Sequence, residues 1–373
     1  KWSRLLPKGG LVRELANENI VVASDINNVA GLEVMLLNPL GQVQVRKYLG
    51  TDRGIELEAT ADGGCILALR NSRIMKLDSS LNVEWYRQYS IASGDEMTDV
   101  YPCANGDFLF TANLRDGNQN KTGGVLCRIT PTGTVIWARR FRETVIENQI
   151  QHVVELPDGR IVVTGIWGAQ YAFGSFPYLF LQLSSAGTLV ETNLVYQPFG
   201  AGAGIQISDL AVLEDGNFVA VGDFGGGIPS PYTTDLTLVF NSDMEEIASY
   251  IWRVNNISFL NTTVRNVTAT RDGGFVCTMA EHTFSAWSSY AYFAKTMPAT
   301  STCSPGFGCV GQISNYTPPN QSVSIGLVGP ILTDSLLTPW DSLYTLTQTQ
   351  QCRDSVPWNG CGGMNAAFSV VDS

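Results

Sequence analysis

Residues 271–278 read Arg-Asp-Gly-Gly-Phe-Val-Cys-Thr, a tight-turn signal that runs directly into an apolar stretch. Close versions of this phrase recur at residues 61–67, 104–109, 157–162 and 214–219, and a worn version lies at residues 16–21. An Asx-Gly pair between two apolar runs is typical of the tip of a β-hairpin. The turn Asn or Asp of successive copies are 43 to 57 residues apart. A period of this length indicates a propeller or a solenoid.

Each hairpin is half of a longer unit, which is clearest in residues 96–142. A first strand enters the turn at Asn105, a second strand follows, and a polar loop leads to a third strand. The turn at residues 131–133 then returns the chain as a fourth strand. Four antiparallel strands with tight turns are typical of a propeller blade. The low share of charged residues (15%) and the 37 glycines also favour an all-β protein.

The sixth copy lacks a recognisable fourth strand. Fourth strands elsewhere read Glu-Trp-Tyr-Arg at residues 84–87 and Ile-Trp-Ala-Arg at residues 136–139, and the chain opens with the similar Lys-Trp-Ser-Arg. We therefore predict a six-bladed β-propeller that is closed by an N-terminal outer strand, residues 1–6, paired with residues 290–295. Closing the ring in this way removes a free sheet edge.

The domain boundary is predicted from a change in composition. The propeller takes residues 1–300, and residues 301–373 are rich in Ser, Thr, Gln and Pro with few charges. Short alternating stretches in the second part predict a small β-rich C-terminal appendage. The chain opens at Lys1 without an initiator Met, so we expect a processed product or a piece of a longer protein.

The eight cysteines fall into different settings. Cys65, Cys127 and Cys277 lie in predicted strands and suit small buried hydrophobic positions. Four more lie in Gly-, Pro- and Ser-rich C-terminal stretches: Cys303, Cys309, Cys352 and Cys361. We expect two local disulfides among these four, which indicates an oxidising, extracellular setting. The alternative is that all eight are free thiols of an intracellular protein.

The net charge of the chain limits the classes of partner that it can bind. A formal net charge of −11 and an isoelectric point near 4.7 argue against nucleic acid or an anionic membrane surface. No apolar run approaches the roughly 20 residues that a helix needs to cross a bilayer. We therefore expect neither nucleic-acid binding nor direct membrane insertion.

The repeat phrases resemble a known family. Asp-Gly-Gly-Phe-Val, the Lys-Leu-Asp of residues 76–78 and the Trp-x-Arg of residues 85–87 and 137–139 are similar to the propeller repeats of large secreted surface proteins from Bacteroidota-type gliding bacteria. The resemblance covers residues 1–300, although three copies lack the outer-strand Trp. It implies a propeller fold, export through a type IX route, and a place in adhesins or other exported proteins.

A polar residue recurs six positions before the turn Asn or Asp of five copies: Glu56, Asp99, His152, Asp209 and Asn266. The next residue is apolar in every copy, so the two sets face opposite sides of a strand. We expect the polar set near the propeller axis. It is either a cluster that binds a cation or acts as acid and base, or a set that hydrogen-bonds the backbone of neighbouring blades. Its presence in each of these repeats favours the structural interpretation.

Long loops are predicted between the second and third strands of four successive blades, at residues 114–124, 167–177, 223–235 and 280–289. Function on rigid β scaffolds concentrates in such loops. Aromatic residues in two of them suit sugar stacking or a protein interface: Trp167, Tyr171, Phe173, Phe176, Phe284 and Trp287. The alternative is that they fold back as lids over blade edges.

One loop has a weak calcium pattern. Asp116, Asn118 and Asn120 alternate as oxygen ligands do in calcium loops, but Lys121 stands where such loops have Gly and no closing Glu follows. A plain polar hairpin loop is the favoured interpretation. Apart from this optional Ca²⁺, we expect no cofactor.

The motifs of common enzyme classes are absent from the sequence, including His-Glu-x-x-His, Gly-x-Ser-x-Gly, the Walker loop and the dinucleotide fingerprint. The leading hypothesis is a non-enzymatic extracellular structural or adhesive module at the cell surface. Its partners are then other copies or domains of a surface assembly, or a cell-surface glycan, bound through the long-loop face. The alternatives are a carbohydrate-active enzyme or a Ca²⁺-dependent lectin that uses the polar residues near the axis.

Overall fold

The computed structural model describes residues 10–25, 31–50, 53–90, 96–115, 121–141, 149–166, 178–195, 204–225, 233–252, 260–270, 273–283, 286–296, 313–315, 320–322, 326–328 and 366–368. The secondary structure of these residues is entirely strand and turn, which confirms the predicted all-β class. The chain forms two compact units. The first unit takes residues 1–120, 125–139 and 322–361, and the second takes residues 121–124, 140–321 and 362–373.

The described strands form six antiparallel sheets. Within each sheet the strands of one repeat lie side by side in chain order, and short strands from the C-terminal part of the chain lie at the edges of four sheets. The strands of the first three sheets are β1 (Gly10–Glu14), β2 (Ile20–Asp25), β3 (Leu32–Leu37), β4 (Val43–Tyr48), β5 (Gly54–Ala59), β6 (Cys65–Leu69), β7 (Arg73–Leu77), β8 (Val83–Ser90), β9 (Glu96–Pro102), β10 (Phe108–Arg115), β11 (Lys121–Ile129) and β12 (Val135–Phe141). Each sheet has the four-strand meander that the repeat predicts.

The second unit repeats this arrangement. The strands of the fourth to sixth sheets are β13 (Gln149–Glu155), β14 (Ile161–Ile166), β15 (Tyr178–Leu183), β16 (Leu189–Val195), β17 (Gly204–Val212), β18 (Phe218–Gly225), β19 (Thr233–Phe240), β20 (Glu246–Trp252), β21 (Leu260–Ala269), β22 (Phe275–Thr283) and β23 (Ala286–Thr296). Four three-residue strands complete the described chain: β24 (Ile313–Asn315), β25 (Asn320–Ser322), β26 (Gly326–Val328) and β27 (Ala366–Phe368).

The repeated turn phrase forms one kind of hairpin. In the second sheet the Gly63 amide donates to the Thr60 carbonyl at 3.0 Å, and the Thr60 amide donates to the Gly64 carbonyl at 3.0 Å. The same pair of bonds recurs in the first turn of every sheet. Gly63 has a φ of 84°, a left-handed conformation that glycine adopts without steric cost. Asp62 accepts the Gly64 amide at 3.0 Å, which is the Asx bond that favours Asp and Asn there.

Alternating strand residues form the core between neighbouring sheets. One cluster joins the first and second sheets through residues such as Leu36, Leu57 and Met75. Another joins the second and third sheets and includes Ile74 and Phe110, and similar packing links the fifth and sixth sheets. The apolar residues five positions before each turn marker are buried in the later copies, whereas Val12 of the worn copy is 43% exposed.

The outer side of the last sheet differs from the prediction. β27 pairs antiparallel with β23, so that Ala291 lies opposite Phe368 and Phe293 opposite Ala366. We predicted residues 1–6 at this edge, and these lie outside the described residues. An edge strand offers its backbone groups to any extended segment, and the described segment here comes from the C-terminal end of the chain.

The prediction of a long loop at residues 280–289 is wrong. β22 and β23 continue through most of it, with Glu281 opposite Tyr290 and Thr283 opposite Ala286. The ladder continues because Thr, Tyr and Trp, which favour strands, occupy both sides of the bend. The strands also extend into the predicted loops at residues 114–124 and 223–235, while residues 167–177 separate β14 from β15.

Candidate functional site on the first strands of the sheets

The polar residues singled out in the sequence share one backbone feature. In each of β5, β9, β13, β17 and β21 the pairing with the second strand skips one residue, which is a β-bulge. The residues directly after the skipped position are Glu56, Asp99, His152, Asp209 and Asn266. A bulge re-aims the side chains beside it, so the five residues occupy equivalent positions in five sheets.

In the first unit these side chains bond to backbone and to an arginine. Glu56 accepts the Leu57 amide at 3.0 Å, and Asp99, which is buried, accepts the Val100 amide at 2.7 Å. Arg13 of the first sheet donates to Glu56 at 3.0 Å and to Glu58 at 2.7 Å. The Arg13 guanidinium therefore links β1 of the first sheet to β5 of the second sheet through charge-assisted hydrogen bonds.

In the second unit Asp209 links two sheets by backbone hydrogen bonds. One carboxylate oxygen accepts the amide of Leu210 at 2.8 Å in its own strand. The other accepts a hydrogen bond at 2.9 Å from the amide of Val267, which lies in β21, the first strand of the next sheet. A buried or partly buried amide needs an acceptor, and Asp209 supplies it where the bulge interrupts the ladder.

His152 makes an equivalent link between the fourth and fifth sheets. Its imidazole hydrogen-bonds the Ile207 carbonyl, which also accepts the Tyr178 hydroxyl at 3.3 Å. Tyr178 is fully buried, and its hydroxyl hydrogen-bonds Gln151, which is the skipped residue of the bulge. Burial lowers the pKa of His152 to about 4, and the bond to the Ile207 carbonyl only partly opposes this effect. The imidazole is therefore neutral at neutral pH.

Sequence reasoning missed a set of polar side chains on the third strands that cover the first turns. Lys76 is 2% exposed and donates to Asp62 at 2.8 Å and to Glu84 at 2.9 Å. Burial opposes ionisation of Asp62, but its hydrogen bonds to Lys76, Thr60 and Gly64 outweigh that effect and lower its pKa. The Lys-Leu-Asp phrase was the available signal for this contact.

The turns of the third and fourth sheets are covered in related ways. Arg128 donates to Asp107 at 2.9 Å and to Asn105 at 3.0 Å in the third sheet. In the fourth sheet Arg160 donates to Asp158 at 2.6 Å and to Gln182 of the third strand at 3.1 Å. Arg128 is buried, and because a buried charge is stable only when paired, its contacts fix the turn of the third sheet against the third strand.

Fourth strands hold the next sheet by its second turn. Alternate side chains of β8 donate to three successive carbonyls: Trp85 to Pro131 at 2.8 Å, Arg87 to Thr132 at 2.9 Å and Tyr89 to Gly133 at 2.8 Å. In the second unit Asn193 of β16 donates to the Met244 carbonyl at 3.2 Å at the equivalent turn. The Trp-x-Arg-x-Tyr pattern in β8 is therefore an inter-sheet clasp.

The remaining predicted site residues are only partly described. Trp287 lies in β23, where its side chain is not described, and the other aromatic residues lie outside the described residues: Trp167, Tyr171, Phe173, Phe176 and Phe284. The calcium candidates Asp116, Asn118 and Asn120 and the disulfide candidates Cys303, Cys309, Cys352 and Cys361 lie outside them as well. These assignments stay predictions.

The cysteines of the described strands are buried free thiols, as predicted for Cys65, Cys127 and Cys277; Cys103 is buried too. Burial raises the pKa of Cys65 to about 12, so its thiol is inert at neutral pH. Within the described ranges there is no cluster of three metal-ligating side chains and no helix long and apolar enough to cross a membrane.

Comparison with known proteins finds structures that are similar to this chain. No protein-family model and no curated protein sequence matches the chain. A protein of unknown function from Dyadobacter fermentans DSM 18053 is similar over 77% of this chain and 93% of its own, with 10% identity and a TM-score of 0.49. The Dos1 propeller matches over 79% and 81%, with 9% identity and a TM-score of 0.46. BBS1N, solved in complex with ARL6DN, matches over 78% of each chain, with 13% identity and a TM-score of 0.45.

Proposed function

We propose that this chain is a six-bladed β-propeller that serves as a non-enzymatic structural and adhesive module of an extracellular surface protein. The six antiparallel sheets and the hydrogen bonds that join the first strands of neighbouring sheets within each unit support this proposal. The repeat phrases that resemble those of secreted surface proteins support a location outside the cell, and the acidic charge of the chain disfavours nucleic-acid partners.

The observation that carries the proposal is the carboxylate of Asp209 between two backbone amides. Both oxygens accept hydrogen bonds, one within the fifth sheet and one from the sixth. These two bonds take one acceptor site on each oxygen and hold the carboxylate between the first strands of two sheets. In the proposed module its role is to join these neighbouring sheets.

Replacement of Asp209 separates the scaffold from the carbohydrate-active alternative. We expect Asp209→Asn to lower the free energy of unfolding by about 1 kcal/mol, because the amide keeps one acceptor and loses the charge-assisted bonds. Urea unfolding checks this value. A matched change at a surface carboxylate, Asp243→Asn, is expected to have a smaller effect, since Asp243 is exposed. A hydrolase instead predicts turnover on a glycan panel by the native chain that Asp209→Asn abolishes without a loss of stability.

The adhesive surface in this proposal consists of aromatic residues: Trp167, Tyr171, Phe173 and Phe176 in the stretch between β14 and β15, Phe284 between β22 and β23, and Trp287 near the start of β23. Aromatic side chains suit stacking on sugars and anchor protein interfaces. Glutamate and aspartate account for the acidic charge of the chain, so the partner that we propose is neutral or basic.

Binding by this surface is measurable with a panel of neutral and amino-sugar oligosaccharides. We expect Trp167→Ala to weaken binding of those glycans that the native chain binds. The expected loss is at least tenfold, because loss of one stacking contact costs about 1.4 kcal/mol or more. Leu40→Ala is the control, because Leu40 is an exposed apolar residue (71%) of a tight turn. Equal losses in both variants, or none in Trp167→Ala, would reject this face.

A further inference from the structure

In three sheets the second turn is held by the strand that directly precedes the sheet in the chain. β4 precedes the second sheet, and its Lys47 donates to Asn82 of that sheet's second turn at 2.6 Å. β8 precedes the third sheet and bonds the turn carbonyls of residues 131–133. β16 precedes the fifth sheet, and its Asn193 donates to the Met244 carbonyl. The partner of a second turn is therefore the outer strand of the preceding repeat.

The second turn of the first sheet, residues 38–42 (the first-sheet turn), has the same form as the second turn of the third sheet. It reads Asn-Pro-Leu-Gly-Gln, and residues 130–134 read Thr-Pro-Thr-Gly-Thr. In both turns the glycine amide donates to the carbonyl of the first residue, at 2.8 and 2.9 Å. The two glycines, Gly41 and Gly133, have φ values of 76° and 79°. The two turns therefore present their carbonyls in the same arrangement.

The segment that precedes the first sheet carries the same two donors as β8. Residues 2–4 read Trp-Ser-Arg, and residues 85–87 of β8 read Trp-Tyr-Arg. In β8 the indole and the guanidinium are two residues apart, on one side of the strand, and donate to consecutive carbonyls. The N-terminal segment and the first-sheet turn belong to one compact unit, which includes residues 1–120. One chain therefore supplies both the donors and the turn.

We propose that the first-sheet turn is the docking site of the N-terminal segment of the same chain, residues 1–6. Trp2 donates to the Pro39 carbonyl through its indole nitrogen, and Arg4 donates to the Leu40 carbonyl through its guanidinium. These bonds are equivalent to the first two that β8 makes with the third sheet. The docking uses side chains, so it does not depend on which segment pairs with the backbone of β23.

The indole also covers apolar surface at this site. Trp85 packs on Phe108, the first residue of β10, with the ring centroids 6.2 Å apart. The equivalent residue of the first sheet is Ile20, the first residue of β2, which packs against an apolar cluster of that sheet. Trp2 lies over Ile20 in the same way. Docking therefore combines two hydrogen bonds with the burial of an aromatic ring.

A photoreactive label on the first-sheet turn tests this docking in the full chain. Leu40 is 71% exposed, so Leu40→p-benzoylphenylalanine keeps the backbone carbonyl without disturbing the core. After irradiation we expect the label to be joined to residues 1–6 of the same chain, as located by mass spectrometry of the monomer. Thr132→p-benzoylphenylalanine is the matched control, and its label should capture β8, because Arg87 bonds the Thr132 carbonyl.

A second variant removes the two donors from the chain labelled at Leu40. Trp2→Ala combined with Arg4→Ala is expected to lower the yield of the crosslink about tenfold or more, because two hydrogen bonds and the ring contact are lost. Circular dichroism checks that the variant keeps the native fold. If it does not, Trp2→Phe takes its place, since phenylalanine keeps an aromatic ring and removes the N–H donor.

Each result supports or overturns the docking. A label at Leu40 that captures another segment, or nothing, while the control label captures β8 overturns the proposal. Capture of residues 1–6 only in crosslinked dimers overturns it as well, since a second copy then supplies the segment. An unchanged yield after removal of the donors overturns the assigned bonds.

Discussion

Replacement of Gly165 by alanine is expected to lower the free energy of unfolding by about 3 kcal/mol or more. Gly165 lies in β14 opposite Ile150, at the bulge that precedes His152. A Cβ atom there would be 1.8 Å from the Gln149 carbonyl oxygen and 3.1 Å from the Ile150 Cα. Both are backbone atoms, so relief of the clash requires β13 to move and its bulge to be rebuilt. Urea unfolding followed by tryptophan fluorescence measures the loss.

The control is a glycine beside an equivalent bulge with room for a methyl group. Gly54 precedes the bulge of β5, and a Cβ there would meet side-chain atoms of Leu11 and Leu32 at 3.4 and 3.5 Å, which is ordinary contact. We expect Gly54→Ala to change stability by less than about 1 kcal/mol. If Gly165→Ala is as stable as Gly54→Ala, the strands do not approach each other as the structure describes.

Stability is expected to fall between pH 7.5 and pH 5 because of His152. Its pKa is about 4 in the folded chain and near 6.5 when exposed to water. The unfolded chain therefore takes up the proton at a higher pH than the folded chain does. Above pH 6.5 the imidazole is neutral in both states and does not lower the free energy of unfolding. As the pH falls from 6.5 to 4, protonation of the unfolded chain lowers the free energy of unfolding. The linkage relation gives a loss of about 2 kcal/mol by pH 5.

The measurement compares unfolding free energies at pH 7.5 and pH 5 for three chains. His152→Gln is expected to remove most of the difference between the two pH values, because glutamine does not titrate. The chain has only two histidines, so His282→Gln is the matched control and should keep the difference. A native-like pH dependence in His152→Gln would show that other groups cause the dependence and would contradict the lowered pKa of His152.

The Asp-Gly-Gly phrase shows how much of the local structure is written in the sequence. The hairpin follows from Asp62 and Gly63, because an Asx bond and a left-handed residue specify that turn. The second glycine has a different reason. A Cβ at Gly64 would be 2.1 Å from the Leu77 carbonyl and 2.8 Å from the Lys76 ammonium nitrogen. That requirement comes from the third strand and is invisible in the turn itself.

The candidate site divides in the same way. Spacing from the turns identified Glu56, Asp99, His152 and Asp209 as equivalent positions, and period-2 alternation put them opposite the apolar layer. The bulge beside each of them was not predicted, because an extra residue in a strand leaves no mark in an apolar run. The hydrogen bond that Asp209 accepts from the Val267 amide of the next sheet is likewise a tertiary contact, between residues 58 positions apart in the chain.

By itself the sequence determined the repeat, its four strands and its tight turns, because these depend on interactions between residues close together in the chain. The tertiary structure alone decided which edges are paired and which polar groups join neighbouring sheets. It placed β27 beside β23 and β24 beside β16. An edge strand bonds through its backbone, which is nearly the same in every residue, so the sequence of a short strand does not identify its neighbour.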